Sequence, residues 1–423
     1  GNTLKTTKNT RRGRRSTTRK VSAVEGLPIE GSEKVYLKFT DNKGNTLDFG
    51  RKKNNSLYVN KLTPLPTKTE TTDEAYMMEL APLEWITNEK GAQQVRKVFS
   101  GQISDHVRKI FKEILKTKKK LDIEKTNSTL DFCGNNTKPY FTLNDLSTKA
   151  VSANTKQKGQ TAGYFFWETA NAYHFKSIET KVSILYNESS EYLPKPYTIK
   201  ALSLDTDNRV NVQKKMQMGA YSNRFISINP FSGEFINILN EAEKYAEGNE
   251  VKLAGEELPF MNKIFSEDQA DTQFSKTSFQ LASTGQLNVG PIEDQLQMSK
   301  QINFDSAGIF NQAKMRYNQL FASQITIVIP GDFSLHAGDS VYMDIPQVGT
   351  PENKACGDDV NKRTGGRYLI SDICHYITAT DTYSKLVLIR DSFGRTGNPS
   401  KSSTEDPMDF FDDSSSNANK VMQ

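Results

Sequence analysis

Four histidines and three cysteines are the side chains best suited to metal or nucleophile chemistry in this chain. His106, His174, His336 and His375 lie far apart, with no local spacing that suits a metal. Cys133, Cys356 and Cys374 include no Cys-x-x-Cys pair. Cys374 and His375 are neighbours, but they fall in a segment patterned as a strand, where adjacent side chains point to opposite faces. A thiol–imidazole dyad is thereby excluded. Asp205 and Asp207 resemble the start of a calcium loop, yet no glycine or closing glutamate follows at the required offsets, so a polar turn is expected. There is no phosphate loop ending in Lys-Ser/Thr, no His-Glu-x-x-His and no Gly-x-Ser-x-Gly. No signature singles out a glycosidase pair among the carboxylates. The sequence therefore predicts no catalytic residue, no metal site and no cofactor.

Any function must then come from surfaces, and composition narrows these. With 423 residues, 35% hydrophobic and 25% charged, the chain is long enough for about two to four domains and polar without being wholly disordered. No uncharged apolar run approaches the roughly 18–20 residues that span a bilayer, and no apolar leader or membrane anchor is expected. Three cysteines cannot form a disulfide framework, which fits a reducing compartment. The net charge of +5 is unevenly placed: residues 1–20 carry eight lysines and arginines and no acid, so the remainder sums to −3. Within that arm, Arg11, Arg12, Arg14 and Arg15 are the candidate nucleic-acid contacts, by phosphate neutralisation. The alternative is a solvated, disordered arm, or one ordered only against a partner.

Alternation at Val35, Leu37 and Phe39, a turn at Asp41–Asn45, and strands over Leu57–Leu62 and Tyr76–Leu80 predict a small antiparallel sheet or first β-barrel over 21–100. Ile103, Val107, Ile110, Phe111 and Ile114 predict a helix capped by Ser100 or Ser104. Lys116, Lys118, Lys119 and Lys120 are placed at its solvated carboxyl end. A second helix over Thr142–Val151, an aromatic strand over Gly163–Thr169 expected to be buried on both faces, and a returning strand from Tyr173 complete an α+β unit over 101–193. Strands at Val210–Val212 and Phe225–Ile228 are followed by a predicted helix from Phe235 to Tyr245. A helical or irregular insertion covers 241–323, with a helix from Ser306 carrying Phe310, Ala313, Tyr317, Leu320 and Phe321. Strands at Gln324–Ile329, Ser340–Ile345, Arg367–Thr378 and Tyr383–Arg390 join 194–240 in a second barrel ending at 393, with Gly331, Gly338 and Gly366 assigned to its turns. Residues 394–423 form a flexible acidic tail in which Phe410 and Phe411 stand among acids, either as a docking peptide or as a plain terminus. The fold class expected is α+β, mainly β.

The order of these weak motifs resembles the baseplate hub proteins of T4-type contractile phage tails. Lys138-Pro139-Tyr140-Phe141, the run from Ala162 to Thr169 and Tyr173–Ile178 resemble the central hub segment. Ala313–Tyr317, Ile327–Asp332, Leu335–Val341, Gly366–Ile370, His375–Ile377 and Tyr383–Ser392 resemble the closing barrel shared with type VI secretion spikes. The resemblance runs over roughly residues 21–393 and looks closest to marine T4-like phages such as those of cyanobacteria; the basic arm departs from it.

What the resemblance implies is a homotrimer in which each chain supplies two tail-tube-type antiparallel barrels. Three chains then make a pseudo-sixfold ring that adapts the sixfold tail tube to the threefold spike. Implied partners are the tail tube or tube-initiator proteins, the central spike protein, baseplate wedge proteins and the tape-measure protein. DNA would pass through the channel without sequence recognition during genome ejection. The implied location is the virion, in the tail baseplate, after synthesis in the host bacterial cytoplasm. Two other functions compete with this structural role: nucleic-acid binding through the basic arm, and peptidoglycan hydrolysis by a tail-associated enzyme.

Overall fold

In the computed structural model, the residues described are 4–6, 19–21, 26, 29–50, 54–65, 75–127, 129–153, 162–178, 180–181, 201–206, 222–228, 235–241, 276–281, 306–321, 323–343 and 366–390. The architecture is mainly β, with a few helices. Within the basic arm, expected to lack structure, β1 (Leu4–Thr6) pairs antiparallel with β2 (Arg19–Val21). Arg11, Arg12, Arg14 and Arg15 between them lie outside the described residues.

The amino-terminal unit consists of a three-stranded sheet and a separate hairpin. In the sheet, β6 (Leu57–Leu65) lies between β3 (Lys34–Val35) and β7 (Ala75–Pro82). The hairpin joins β4 (Lys38–Thr40) to β5 (Thr46–Asp48) through the Asp41–Asn45 turn. Among the described residues this part of the chain is an antiparallel sheet with a hairpin beside it, the sheet form of the expected sheet or barrel.

Next come α1 (Leu83–Asn88), the two-residue β8 (Val98–Phe99) and α2 (Ile103–Lys109), which runs on as a wide turn over Ile110–Ile114. The predicted apolar stripe is the buried face: Ile103, Val107, Ile110 and Phe111 are at most 1% exposed. Its cap differs from expectation. The capping position is Gln102, without a side-chain bond, and the Ser104 amide instead donates to Thr126 Oγ1 at 3.0 Å. A wide turn at Ile110–Ile114, where Leu115 N–H reaches Ile110 O, lets the apolar face stay on the core to the helix end. Strand β9 (Lys120–Ile123), β10 (Phe132–Cys133, paired with β8), α3 (Pro139–Lys149), β11 (Tyr164–Glu168) and β12 (Ala172–Ser177) complete this unit. Pro139 opens α3, where a missing N–H costs nothing. The sheet order is β11-β12-β9, with β12 parallel to β9.

The aromatic strand β11 separates two cores. Tyr164 and Phe166 face the α2–α3 core, while Phe165 packs with Tyr317 against Ile178, Leu320, Leu369 and Ile389. It is thus covered on both faces, although only Tyr164 is fully buried.

Beyond it, β13 (Ser203–Thr206), β14 (Ser222–Ile228), β15 (Phe235–Glu241), β16 (Lys276–Leu281), α4 (Ser306–Leu320), β17 (Ser323–Pro330), β18 (Ser340–Met343), β19 (Gly366–Ile377) and β20 (Thr382–Arg390) follow. The predicted helix at Phe235–Tyr245 is instead strand β15, seven residues paired with β14. Phe235, Ile238 and Leu239 keep the i, i+3, i+4 spacing of a helix, and the seven-residue ladder with β14 overrides it. Parallel pairing of β16 on the other side of β14 places a strand within the segment taken as a helical or irregular insertion. On α4 Ala313 and Leu320 of the predicted stripe are buried and Tyr317 packs against two cores, whereas Phe321 is 38% exposed; Ile309 and Arg316 are buried beside them. The Arg316 Nη1 donates to the Ala162 carbonyl at 2.8 Å.

The closing sheet has the order β13-β17-β20-β19-β18, all antiparallel, and curls as a half-barrel. Ile325, Ile327, Ile329, Tyr368, Ile370, Leu386 and Leu388 fill its inner face. A bulge between Ile370 and Asp372 supplies local bend. Strand β13 joins across some 120 residues of sequence, Ser203 lying opposite Val328 and Thr206 opposite Ile325.

Candidate functional site

The three units meet around a polar joint and an apolar cavity. The joint is built by two turns. In the β4–β5 turn, Asp41 Oδ1 accepts the amides of Lys43 and Asn45 at 2.9 and 2.7 Å, an Asx arrangement that stabilises the hairpin itself. Asp41 Oδ2 reaches across to the turn after β17 and accepts the Phe333 amide at 3.0 Å. Lys43 Nζ donates to Asp332 Oδ2 at 2.7 Å, and Ser334 caps the other oxygen of Asp332 through its amide and hydroxyl. Behind this turn the Asp332 amide donates to Ser384 Oγ at 3.3 Å, and His375 Nδ1 sits 2.7 Å from the same oxygen.

Burial works against the charge on Asp41, but the Phe333, Asn45 and Lys43 donors outweigh it and hold the carboxyl below its ordinary range. Asp332 is likewise held low, the Lys43 ammonium and Ser334 overcoming its burial. His375 is pushed the other way from charge: burial first, then His336, lower its pKa against the pull of Asp332 and Asp41.

Beside the joint lies a cavity of about 330 Å³. Leu47, Phe49, Leu57, Leu335 and Ile373 form apolar walls; Lys119, Glu168, His336 and His375 are its ionisable lining. Lys119 is the correction to the lysine cluster: its side chain is only 4% exposed and is paired with Glu168, with Tyr173 under the ammonium at 5.3 Å. Lys119, directly before β9, is drawn inward to Glu168 at the end of β11.

A hydroxyl–imidazole–carboxylate row also appears that spacing gave no means of seeing. Thr169 Oγ1 lies 3.1 Å from His174 Nε2, and His174 Nδ1 3.2 Å from Asp122 Oδ2. Pairing of β12 with β9 aligns His174 with Asp122 across 52 residues. The Thr169 hydroxyl is committed to its own turn, donating to the Ala172 carbonyl at 3.2 Å, while Asp122 is bridged to Lys176 at 2.7 Å. Ser384 beside His375 is fully buried. Thr169, which lines the cavity, thus spends its hydroxyl proton within its own turn, and Ser384 is closed off from solvent. Among the described residues no group of His, Cys, Asp and Glu is arranged to hold a metal ion, and no helix is long and apolar enough to cross a membrane.

Of the glycines assigned to turns, Gly338 has φ of 89° and lies 2.7 Å, measured from an added Cβ, from Trp167 Cζ2. Gly331 lies against Thr382, where an added Cβ would meet Cγ2 at 2.3 Å. Gly366 opens β19 opposite Met343. Trp167 fixes the Gly338 turn by donating from Nε1 to the Ala337 carbonyl at 2.9 Å, and stacks on His174 at 4.8 Å. Phe410 and Phe411 lie outside the described residues, as do Val210–Val212, Asp207 and Cys356. Cys133 and Cys374 are free and exposed.

No family model matches the chain, and no curated protein matches it. Solved structures similar to it include two tail proteins. A tail protein from Neisseria meningitidis MC58 aligns at a TM-score of 0.43 and 8% identity, over 79% of this chain and 80% of that one. The 43 kDa tail protein of prophage MuSo2 from Shewanella oneidensis aligns at 0.40 and 8% identity, over 85% and 89%.

Proposed function

We propose that this protein is a structural component of a contractile phage tail, a baseplate hub that assembles as a homotrimer and rings the DNA channel between tail tube and central spike. The observation that carries the reading is the closing sheet. Its strands at 203–206, 323–330, 340–343, 366–377 and 382–390 come together in a curled antiparallel half-barrel. These belong to the two chain segments that the motif order assigns to a tube-type barrel. Its edge strands are β13 and β18, and Leu202 and Leu204 beside one edge and Tyr342 at the other are 65%, 45% and 48% exposed. Half-barrels with apolar side chains at their edges are suited to completion by neighbouring chains. The hydroxyl groups near His174 and His375 are engaged internally, so assembly rather than bond-making is the role assigned. Tube, tube-initiator, spike, wedge and tape-measure proteins are the partners proposed on the same basis.

Light scattering on the purified chain, alone and mixed with tube and spike proteins, tests this. The expected species has three times the 47.6 kDa of one chain. A chain that stays monomeric in the presence of both partners overturns the proposal. Salt-sensitive DNA binding by such a monomer, lost with residues 1–20, would transfer the function to the basic arm.

A further inference from the structure

The turn carrying Asp332 and Phe333 is gripped from two sides. On one side Asp41 and Lys43 of the amino-terminal hairpin hold it; on the other, Ser384 Oγ accepts the Asp332 amide. Because that oxygen receives an N–H, the serine's own proton is free to donate, and His375 Nδ1 is 2.7 Å away. The imidazole accepts it only as the neutral ring with its proton on Nε2. A second proton turns Nδ1 into a donor: Ser384 Oγ has lone pairs for both N–H groups, but its own proton has then lost its acceptor. Ser384 is 0% exposed, so water does not restore the lost bond.

We propose that His375 is a proton-operated catch on this joint: when charged it leaves the buried Ser384 hydroxyl proton without an acceptor, and the shift of the Asp332 turn that restores one loosens the β4–β5 hairpin from the closing sheet. The groups facing His375 come from every neighbouring element. Ser384 lies across on β20, Asp332 at the end of β17, His336 in the following connection and Asp41 in the hairpin turn. Lys119 and Glu168 line the same cavity, and the Phe333 ring meets the imidazole edge-on at 5.0 Å. His336 opposes a second positive charge, Asp332 and Asp41 favour one, and burial weighs against it. The charge therefore arrives below the ordinary histidine range and works against the closed joint.

Backbone amide hydrogen exchange on the full chain, at pH 5 and pH 7.5 and corrected for intrinsic exchange, tests the catch. Peptides covering residues 38–49 and 330–339 should lose protection several-fold at the lower pH, while the centres of β17 and β20 keep theirs. His375→Asn offers Ser384 an acceptor that takes no proton, and should hold both peptides protected at both pH values. His336→Asn, which leaves His375 in place, should retain the pH response. Ser384→Ala removes the hydroxyl that the imidazole accepts from and should leave the joint equally loose at both pH values. A flat response in the native protein overturns the proposal, as does a full response surviving in His375→Asn or Ser384→Ala.

Discussion

His106 is fully buried between Phe99 and Phe132, with Nε2 at 2.7 Å from the Leu130 carbonyl. Burial outweighs that bond and lowers its pKa. Above its ordinary value near 6.5, neither folded nor unfolded chain is charged there. As pH falls through that value the unfolded chain takes the proton first, so stability declines down to the folded pKa. The denaturant midpoint should fall between pH 7.5 and 5, and less steeply in His106→Gln; an unchanged slope would show that His106 does not carry the effect. Lys119 makes a second residue-scale case. Lys119→Met leaves Glu168 without its cation at the cavity wall, and a loss of about 2 kcal/mol is expected, below the figure for fully buried pairs because Glu168 is 29% exposed. Lys119→Met with Glu168→Gln should recover part of it, measured by equilibrium denaturation; equal stability of single and double variants would mean the pair is not coupled.

At the scale of elements, the turn between β17 and β18 depends on Gly338. Its positive φ disfavours any side chain, and a Cβ would also press on the Trp167 indole. Gly338→Ala is expected to cost about 1–2 kcal/mol from the backbone alone, with a changed near-UV signal as Trp167 shifts. An unchanged spectrum would mean that the turn yields instead. The packed face of α2 was legible because Ile103, Val107, Ile110 and Phe111 keep helical spacing, whereas the wide turn that follows leaves no mark in that spacing. Segment 235–241 was misread for a different reason. Its apolar residues keep helical spacing, and pairing with a distant strand, β14, overrides it.

Across the whole molecule, the joint couples residues nearly 300 positions apart, Asp41 with Phe333 and Lys43 with Asp332. Asp41→Ala orphans the Phe333 amide and unties the hairpin turn, an expected loss of about 1–3 kcal/mol. Limited proteolysis should then cut first within residues 38–48. A cleavage pattern identical to the native protein would place the joint's strength in Lys43 and Asp332 instead.

The sequence alone determined what local patterning controls: β17 to β20 of the closing sheet, though not β13, where Asp205 points to a polar turn, together with the α2 and α4 segments and the Asp41–Asn45 turn. These follow from side-chain periodicity and turn chemistry, which act over a few residues. Tertiary structure decided the rest. Burial of Lys119, alignment of His174 with Asp122, the Ser384–His375 contact and the strand identity of β15 all depend on which strands are neighbours. Neighbour choice is set by burial of apolar faces summed over distant segments, so it leaves no signal at any one residue.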